Sequence, residues 1–378
     1  MSDFEYKKAV ECIIYLCSCA ANATVPDPSR ITSVNLDYIF QVSEKHMLSS
    51  MVGQVLQSIG LSSSSFKKAI ALAERKAVIL NHEYINIVSV LEESGIWYMP
   101  IKGAVLQDYY PNFAMREMCD YDVLFDASRA DDVKTIMEEL GFITHEFGIS
   151  SDDVYKKPPV SNFEMHRELF GSYQEEKLFE YYRDVKSRLI KADNKQYEYK
   201  FTPEDFYIYL IAHEYKHFSI SGTGIRSLLD TYIFLCKSEL NMDYVKVELE
   251  KLGILEFEQQ NRSLSLALFE GENLTDADSN MFEYILSSGT YGSIKNKVKN
   301  RIDSNSRSKS KYIVRRIWGP RKNDRDREHF EKTYSLFFKH KVLLPFLPFY
   351  RFIRAVTITP NRIKNEANAI RNTKCENK

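Results

Sequence analysis

The fold is decided by residues 99–124, MPIKGAVLQDYYPNFAMREMCDYDVL. The run Ile96–Ile101 is short and apolar, as β-strands are, and Ala104–Tyr110 has the composition of one or two helical turns. Tyr121–Phe125 predicts a second strand. Two strands separated by a glycine turn and a short helix are typical of a small α/β or α+β domain.

Two aspartates lie at the start of the second predicted strand. Asp120 and Asp122 are two positions apart, so their side chains point to the same face of the sheet. Two such carboxylates repel each other unless a cation lies between them. A hard divalent cation such as Mg²⁺ prefers oxygen ligands of this kind, and phosphate oxygens complete its shell.

A third acid is expected from a later strand. Val160–His166 has the pattern of a strand, and alternation puts Glu164 and His166 on one face. Three acids permit two metals, one that binds a triphosphate and one that lowers the pKa of an acceptor hydroxyl. We therefore predict that Asp120, Asp122 and Glu164 are catalytic and metal-binding, with Mg²⁺ or Mn²⁺ as the cofactor.

The turn between the first strand and the short helix is predicted to bind phosphate. Gly103 lets backbone N–H groups approach a phosphate, and the helix N-terminus favours negative charge. Lys102 supplies a point charge for the β- or γ-phosphate. Arg116 is expected to brace the same phosphates or to fix the aspartate pair.

The combination resembles the polymerase-β-type nucleotidyltransferase superfamily, and within it a branch of poorly characterised bacterial nucleotidyltransferases. That branch has a Lys-Gly turn, an Arg-x-x-x-Asp-x-Asp strand, an acid-x-His strand, a His-containing helix and an Arg-x-x-x-Asp helix. The residues that match this pattern are Lys102, Gly103, Arg116, Asp120, Asp122, Glu164, His166, His213, His217, Arg226 and Asp230.

The resemblance implies an α+β fold, in which a minimal mixed nucleotidyltransferase sheet is flanked by N-terminal helices and a C-terminal helical domain. It implies a metal site at the three acids and a nucleoside triphosphate as donor substrate. The superfamily turn usually carries a hydroxyl that contacts the triphosphate, whereas this chain has Ala104. The residues predicted to bind nucleotide are Lys102, Gly103, Arg116, His166, His217 and Arg226.

The expected organisation is an N-terminal helical region over residues 1–95, a catalytic domain over 96–200 and a C-terminal helical domain over 201–378. Thr202 and Pro203 form a strong helix start, with a cap, Pro at the first position and acids in the first turn. The other elements predicted are helices over Leu36–Leu56, Phe66–Leu91, Ser128–Leu140 (with Ser128 as N-cap), Thr202–His217 and Ile225–Cys236, and a strand over Phe142–Phe147.

A competing motif is the string His213-Glu214-Tyr215-Lys216-His217, a literal HExxH on a predicted helix. In zinc peptidases the two histidines bind Zn²⁺ and the glutamate activates water. Lys216 places a positive charge beside the expected dication, and no third histidine follows at the usual spacing. Asp230 is expected to pair with Arg226, one turn away in the same helix. We therefore predict no zinc site here.

The composition of the chain indicates which partners and which location to expect. The chain has 378 residues and a formal net charge of −1, so it gives no overall sign of binding nucleic acid or an anionic membrane. Its six cysteines form no CxxC pair, which indicates reduced thiols. The N-terminus resembles neither a signal peptide nor a membrane span. We expect a cytoplasmic protein without integral membrane association.

Two C-terminal segments each have two interpretations. Residues 291–327 contain 13 Lys/Arg and three Asp/Glu, which indicates either a solvated linker or a basic surface for a phosphate-rich substrate. Residues 334–358 are rich in Phe, Leu and Pro, with Arg351 and Arg354 among them. They predict either a helical pair packed in a core and broken by Pro345 and Pro348, which we favour, or an element that lies on a membrane surface.

The function predicted from the sequence is metal-dependent transfer of a nucleotidyl group from a nucleoside triphosphate. The acceptor stays open between a small molecule, a sugar, a protein and an RNA end. The alternatives are a catalytically reduced member of the same fold that binds nucleotide or a partner, and a zinc hydrolase that uses the HExxH helix.

Overall fold

The structure is a computed structural model that describes residues 2–31, 34–304 and 308–373. The strands are β1 Tyr98–Ile101, β2 Tyr121–Phe125, β3 Ile143–Glu146, β4 Asp152–Lys157, β5 Ser161–His166, β6 Ile190–Lys191 and β7 Tyr199–Lys200. The α-helices are α1 Asp3–Ala21, α2 Leu36–Lys45, α3 Ser49–Ser58, α4 Ser64–Glu93, α5 Gly103–Leu106, α6 Ala130–Glu139, α7 Glu176–Tyr182, α8 Pro203–Ile220, α9 Ile225–Lys237, α10 Met242–Leu252, α11 Leu255–Glu270, α12 Asp276–Ser288, α13 Ile294–Ser304, α14 Lys309–Trp318, α15 Arg327–Thr333, α16 Ser335–Lys339, α17 Leu347–Ile358 and α18 Pro360–Asn372. Short 3₁₀ helices cover Pro28–Arg30, Gln107–Tyr109, Ala127–Arg129, Val185–Arg188 and Lys341–Phe346.

A five-stranded mixed sheet lies at the centre, in the order β1-β2-β5-β4-β3. β2 and β5 run parallel, while β1 with β2, β5 with β4 and β4 with β3 are antiparallel. β6 and β7 form a separate antiparallel pair. The mixed sheet, with helices before and after it, confirms the predicted α+β fold class.

Strand β4 is absent from the sequence-based prediction because its residues, Asp-Asp-Val-Tyr-Lys-Lys, are mostly polar. Asp153 is nevertheless completely buried. Its carboxylate accepts hydrogen bonds from the Gly148 amide and from Arg167 Nε, both at 2.7 Å. These partners compensate for the burial of the charge. Because a charged residue occupies a buried position, a hydrophobic pattern does not predict this strand.

Helix boundaries follow the predicted signals in most places. The Thr202 side chain accepts from the Asp205 amide and caps α8, as predicted. The prediction of Ser128 as a cap is wrong, because the carboxylate of Asp126 accepts from the Ser128 amide and starts a 3₁₀ turn there. The single helix predicted over Leu36–Leu56 is two helices, α2 and α3, with Met47 in a left-handed conformation (φ 54°) between them.

Three clusters of buried apolar residues surround the sheet. One face of the sheet packs on α4 and α6, and the other packs on α7, α8 and α10. The third cluster combines residues of α1, α2 and α3 with residues of α9, α11 and α12. The N-terminal helices and the helices that follow Thr202 therefore share one core.

The two C-terminal segments differ from the favoured interpretations. Residues 291–327 are largely helical, in α13 and α14, and are not an extended linker in the part that the structure describes. The core-packing prediction for residues 334–358 is confirmed only in part. Phe337 and Leu347 are buried in a small cluster with Phe330, whereas Val342, Phe346, Phe349 and Phe352 are each more than 60% exposed.

No single helix within the described ranges is long and apolar enough to cross a membrane. Residues Lys341–Ile358 and Pro360–Asn372, which meet at a bend of 110°, pass the test of length and composition only as a pair. Five of the six cysteines are free thiols, and Cys375 lies outside the described residues.

Candidate active site

The site lies where β2 and β5 run side by side. Their parallel register sets Asp122 opposite Glu164 and Leu124 opposite His166. Because successive side chains alternate between the faces, Asp122, Glu164 and His166 all point to the face that carries α8. One ligand atom from each of the three lies within 4.8 Å of the others.

Asp122 is at the centre of this group. Its Oδ1 atom accepts hydrogen bonds from Lys102 Nζ at 2.6 Å and from His166 Nε2 at 2.8 Å. Burial alone would raise the pKa of Asp122, but Lys102 and His166 outweigh it and hold the pKa below its ordinary value. Burial likewise opposes the charge of Lys102, yet Asp122 keeps the Lys102 pKa above its ordinary value. This pair is therefore ionised at neutral pH.

The pKa values of the other two acids, Glu164 and Asp120, are raised rather than lowered. Burial, and then the charge of Asp122, raise the pKa of Glu164 from 4.5 to about 8. The same two causes raise the pKa of Asp120. Lys102 cannot neutralise three carboxylates, so Glu164 holds a proton at neutral pH in the metal-free protein. Crowded acids of this kind are stabilised by a divalent cation.

The donor set fits a divalent metal. Asp122 and Glu164 offer the hard oxygen ligands that Mg²⁺ and Mn²⁺ prefer, and His166 adds an imidazole. His166 is buried, and its Nδ1 atom has no hydrogen-bond partner. Within the part of the chain that the structure describes, this is the one group of three such side chains close enough to hold an ion. Asp120 is outside that tight group but lines the same cleft.

The Lys102-Gly103 turn is held in an unusual conformation. Lys102 has a left-handed backbone (φ 52°), which a non-glycine residue rarely adopts. The Lys102 ammonium donates to Asp122 from this turn. A side chain at Gly103 would meet Arg116 Nη1 at 2.5 Å and Met118 at 3.0 Å. The glycine is thus required here because Arg116 packs against the turn.

Arg116 is part of a buried ion pair between the loop before β2 and helix α9. Its Nε and Nη2 atoms donate to the two carboxylate oxygens of Asp230 at 2.8 and 2.9 Å. The Tyr110 hydroxyl donates to the same carboxylate at 2.7 Å. The predicted pairing of Arg226 with Asp230 is therefore wrong, since both oxygens of Asp230 are taken by Arg116.

Arg226 lies at the N-terminal end of α9 and lines the cleft. Its Nη1 atom donates to the carbonyl oxygen of Glu117 at 2.8 Å. Cys119, next to Asp120, contacts the Tyr291 hydroxyl at 2.8 Å. Arg226 and Tyr291 thus both contact the loop that leads to Asp120, and both line the cleft.

Helix α8 forms another wall of the cleft, and it carries the HExxH string. The Nε2 atoms of His213 and His217 are 3.2 Å apart. Glu214 is buried and accepts from Asn261 Nδ2 of α11 at 2.9 Å, so its carboxylate is engaged in the helical core. No third acid, histidine or cysteine of the described residues joins the two histidines in a metal-binding group.

The cleft encloses about 1100 Å³. All the residues predicted to bind metal or nucleotide line it, with the guanidinium of Arg116 held by Asp230. The sequence-based prediction missed several further residues that line the same cleft, namely Tyr173, Tyr209, Lys216, Arg301, Arg315, Arg325 and His329.

Lys216 is the most informative of these missed residues. Burial, and then the charge of Lys102, lower its pKa to about 8. In the sequence, Lys216 was considered only as an argument against a zinc site. It follows His213 by three residues and therefore lies near the same face of α8. Three of the other missed residues are arginines of the basic segment, and two of them are paired with acids: Arg315 with Asp324 and Asp326, and Arg325 with Glu176.

The comparisons with known proteins agree with this geometry. A family model described as "Uncharacterised nucleotidyltransferase" matches residues 32–270, which is well over half of the chain. The match includes the sheet, α8, α9 and each residue that the sequence predicted to bind metal or nucleotide. No curated protein and no solved structure matches the chain. The chain belongs to this family of uncharacterised nucleotidyltransferases.

Proposed function

We propose that this protein is a metal-dependent nucleotidyltransferase of the polymerase-β type, which moves a nucleotidyl group from a nucleoside triphosphate to an acceptor. One observation carries the proposal: the parallel register of β2 and β5 brings Asp122, Glu164 and His166 together on the floor of a cleft of about 1100 Å³. In this proposal residues 96–200 are the catalytic domain, between the helical region 1–95 and the helical domain 201–378.

The metal ligands in this proposal are Asp120, Asp122 and Glu164, with Mg²⁺ or Mn²⁺ as the ion. Such an ion neutralises charge on the phosphates and lowers the pKa of an attacking hydroxyl. His166 donates its Nε2 proton to Asp122 and so fixes the orientation of that carboxylate. Glu164 must lose its proton before it can act as a ligand, so loading of the site releases a proton.

Lys102 is proposed to have two roles. In the metal-free protein it neutralises Asp122 at a distance of 2.6 Å. When a cation takes over that neutralisation, the ammonium of Lys102 is available for a phosphate oxygen of the donor. Gly103 keeps the turn close to Arg116 and thereby fixes the backbone from which Lys102 extends.

The remaining walls are proposed to hold the nucleotide and the acceptor. His217, Arg226 and Tyr291 border the entrance above the aspartates, where a base or an acceptor would contact them. Arg301, Arg315 and Arg325 also line the cleft. Because Arg315 is paired with Asp324 and Asp326, and Arg325 with Glu176, a phosphate group that bound them would compete with these acids. Each of these side chains lies within one continuous cleft, so donor and acceptor could occupy it together.

The test is transfer of label from nucleoside triphosphates labelled at the α-phosphorus. The purified protein is incubated with each of the four nucleotides, Mg²⁺ and fractions of a cell lysate. We expect label on one class of acceptor, and at least about 100-fold less with Asp122→Asn, because a metal ligand is lost. Asp131→Asn, an equivalent change on the exposed face of α6, is the matched control and should leave transfer unchanged.

Two results would point to the alternatives. Mg²⁺-dependent binding of nucleotide without transfer to any fraction would identify a catalytically reduced member of the family, for which Ala104 in the turn gives a reason. About one zinc ion per chain, lost in His213→Ala, would instead favour the hydrolase that the HExxH string suggests.

A further inference from the structure

The C-terminal helices expose an unusually large amount of apolar surface. Six side chains of α16, α17 and the 3₁₀ turn between them are more than half exposed, and we call them the C-terminal apolar surface: Leu336, Val342, Phe346, Phe349, Phe352 and Ile358. Isolated exposed apolar residues are common, but a contiguous group of large ones marks a binding surface. The family match ends at residue 270, so this surface is not part of the nucleotidyltransferase core.

The charged residues within this segment of the chain are all of one sign. Between Ser335 and Asn365 the sequence has six Lys/Arg residues and no Asp or Glu. This differs sharply from the chain as a whole, whose net charge is −1. Lys339 and Arg354 are exposed and lie within the same helices as the apolar side chains.

Several of the apolar side chains share one face of helix α17, so they can contact the same partner together. In α17, Phe349, Phe352 and Val356 follow the spacing of one helical face, and all three are exposed. Helix α14 packs against α17, and Arg351 Nη1 donates to the Ile317 carbonyl at 2.9 Å. Next to Ile317, Trp318 is 64% exposed and adds an indole to the same region.

We propose that the C-terminal apolar surface binds the surface of a bilayer that contains anionic phospholipids. Exposed Phe, Leu and Trp beside Lys and Arg, without acids, are the combination by which interfacial helices enter the boundary between headgroups and acyl chains. The basic residues add attraction to anionic headgroups. The nucleotidyltransferase cleft would then work next to a membrane, whether or not the proposed acceptor is a lipid.

The element lies on the membrane in this proposal and does not cross it. Helix α18, which follows α17 after a 110° bend, has the sequence PNRIKNEANAIRN and is strongly polar. Asn, Arg and Lys side chains in this number are too costly to bury in hydrocarbon.

A second copy of the chain is a less suitable partner. Two copies joined through this surface would bring six Lys/Arg residues of one chain against six of the other, with no acid between Ser335 and Asn365 to pair with them. Like charges at an interface oppose association. An anionic bilayer supplies the complementary charge that a second copy lacks.

Vesicle flotation tests the proposal with the full-length protein. The vesicles are phosphatidylcholine alone, or phosphatidylcholine with about one third phosphatidylserine, at roughly 0.15 M salt. We expect the protein to float with the anionic vesicles and at least about fivefold less with phosphatidylcholine alone. Phe349→Ser with Phe352→Ser should reduce flotation at least about tenfold, because the two rings proposed to enter the bilayer are lost.

The controls separate this surface from general stickiness. Lys339→Gln with Lys341→Gln should lower flotation on anionic vesicles to the level seen with phosphatidylcholine alone. Leu72→Ser with Val78→Ser removes two exposed apolar side chains from α4 and should change nothing. Every variant changes exposed side chains, so its melting temperature and its Mg²⁺-dependent nucleotide binding should equal those of the wild type.

Three outcomes would overturn the proposal. The first is no flotation, and the second is equal flotation on neutral and anionic vesicles. The third is dimerisation by light scattering that disappears in Phe349→Ser with Phe352→Ser while vesicles are not bound, which would show that a second copy covers the surface. A failure of nucleotidyl transfer has no bearing on any of these readouts.

Discussion

Asp122 determines the electrostatics of the candidate site. A single oxygen of this buried carboxylate accepts from both Lys102 and His166, and its charge contributes to the raised pKa values of Asp120 and Glu164. The alternation of side chains in a strand was enough to predict that Asp120, Asp122 and Glu164 face one cleft. The ion pair of Lys102 with Asp122 could not be predicted, because it joins residues 20 positions apart that only the tertiary fold brings together.

The raised pKa of Glu164 predicts a pH dependence of stability. Its ordinary pKa is 4.5 and its pKa in the fold is about 8. Between these values the folded metal-free protein keeps a proton that the unfolded chain has lost, so stability falls as the pH rises from about 4.5 to 8. Glu164→Gln removes this effect and should raise the melting temperature at pH 8 by a few degrees, on the order of 2–4 °C.

Thermal melts of the metal-free protein at several pH values provide the measurement. The difference between Glu164→Gln and the wild type should shrink towards pH 4.5. Glu139→Gln, an exposed carboxylate on α6, is the control and should show no such trend. A Glu164→Gln protein that melts as the wild type does at every pH would mean that Glu164 titrates normally.

At the level of helices and strands, local patterns predicted much of the fold. The apolar runs of β1, β2 and β5 and the Thr202-Pro203 start of α8 appear where expected. β4 was missed because a hydrophobicity pattern does not show that a buried charge, here Asp153, is stabilised by hydrogen bonds from Gly148 and Arg167. The Arg116–Asp230 pair was missed because it joins residues 114 positions apart, whereas the spacing of Arg226 and Asp230 suggested a local pair.

The contact between the Gly103 turn and Arg116 leads to a prediction for that element. A methyl group at Gly103 would lie 2.5 Å from Arg116 Nη1, and Arg116 cannot move freely because Asp230 holds it with two hydrogen bonds. Gly103→Ala should therefore destabilise the protein by about 1–3 kcal/mol, the usual cost of overpacking. It should also weaken nucleotide binding, since Lys102 extends from the same turn.

Urea unfolding followed by circular dichroism measures the first effect. Ala104→Ser, at the next position of the same helix, adds a single oxygen without changing Gly103 and is the comparison variant. If Gly103→Ala unfolds at the wild-type urea concentration, the turn has room for a side chain. The requirement for glycine at this position would then have to come from a ligand.

The protein combines a nucleotidyltransferase core with C-terminal helices that lie beyond the family match. The core, residues 32–270, supplies the sheet, the acids and helix α8. The later helices supply Arg301, Arg315 and Arg325 to the cleft, and they also carry the C-terminal apolar surface. The sequence indicated the basic character of this part, but its exposed apolar face was mistaken for core because hydrophobic patterns do not distinguish a core from an unpartnered surface.

Calorimetric titration of a non-hydrolysable ATP analogue tests the central claim most directly. With Mg²⁺ present, the wild type and Asp131→Asn should bind the analogue, while Asp122→Asn should bind it at least about 100-fold more weakly because a metal ligand is lost. With EDTA all three proteins should bind weakly and alike. Equal binding by Asp122→Asn and the wild type in Mg²⁺, or wild-type binding that persists in EDTA, would contradict a metal-dependent nucleotide site at Asp122.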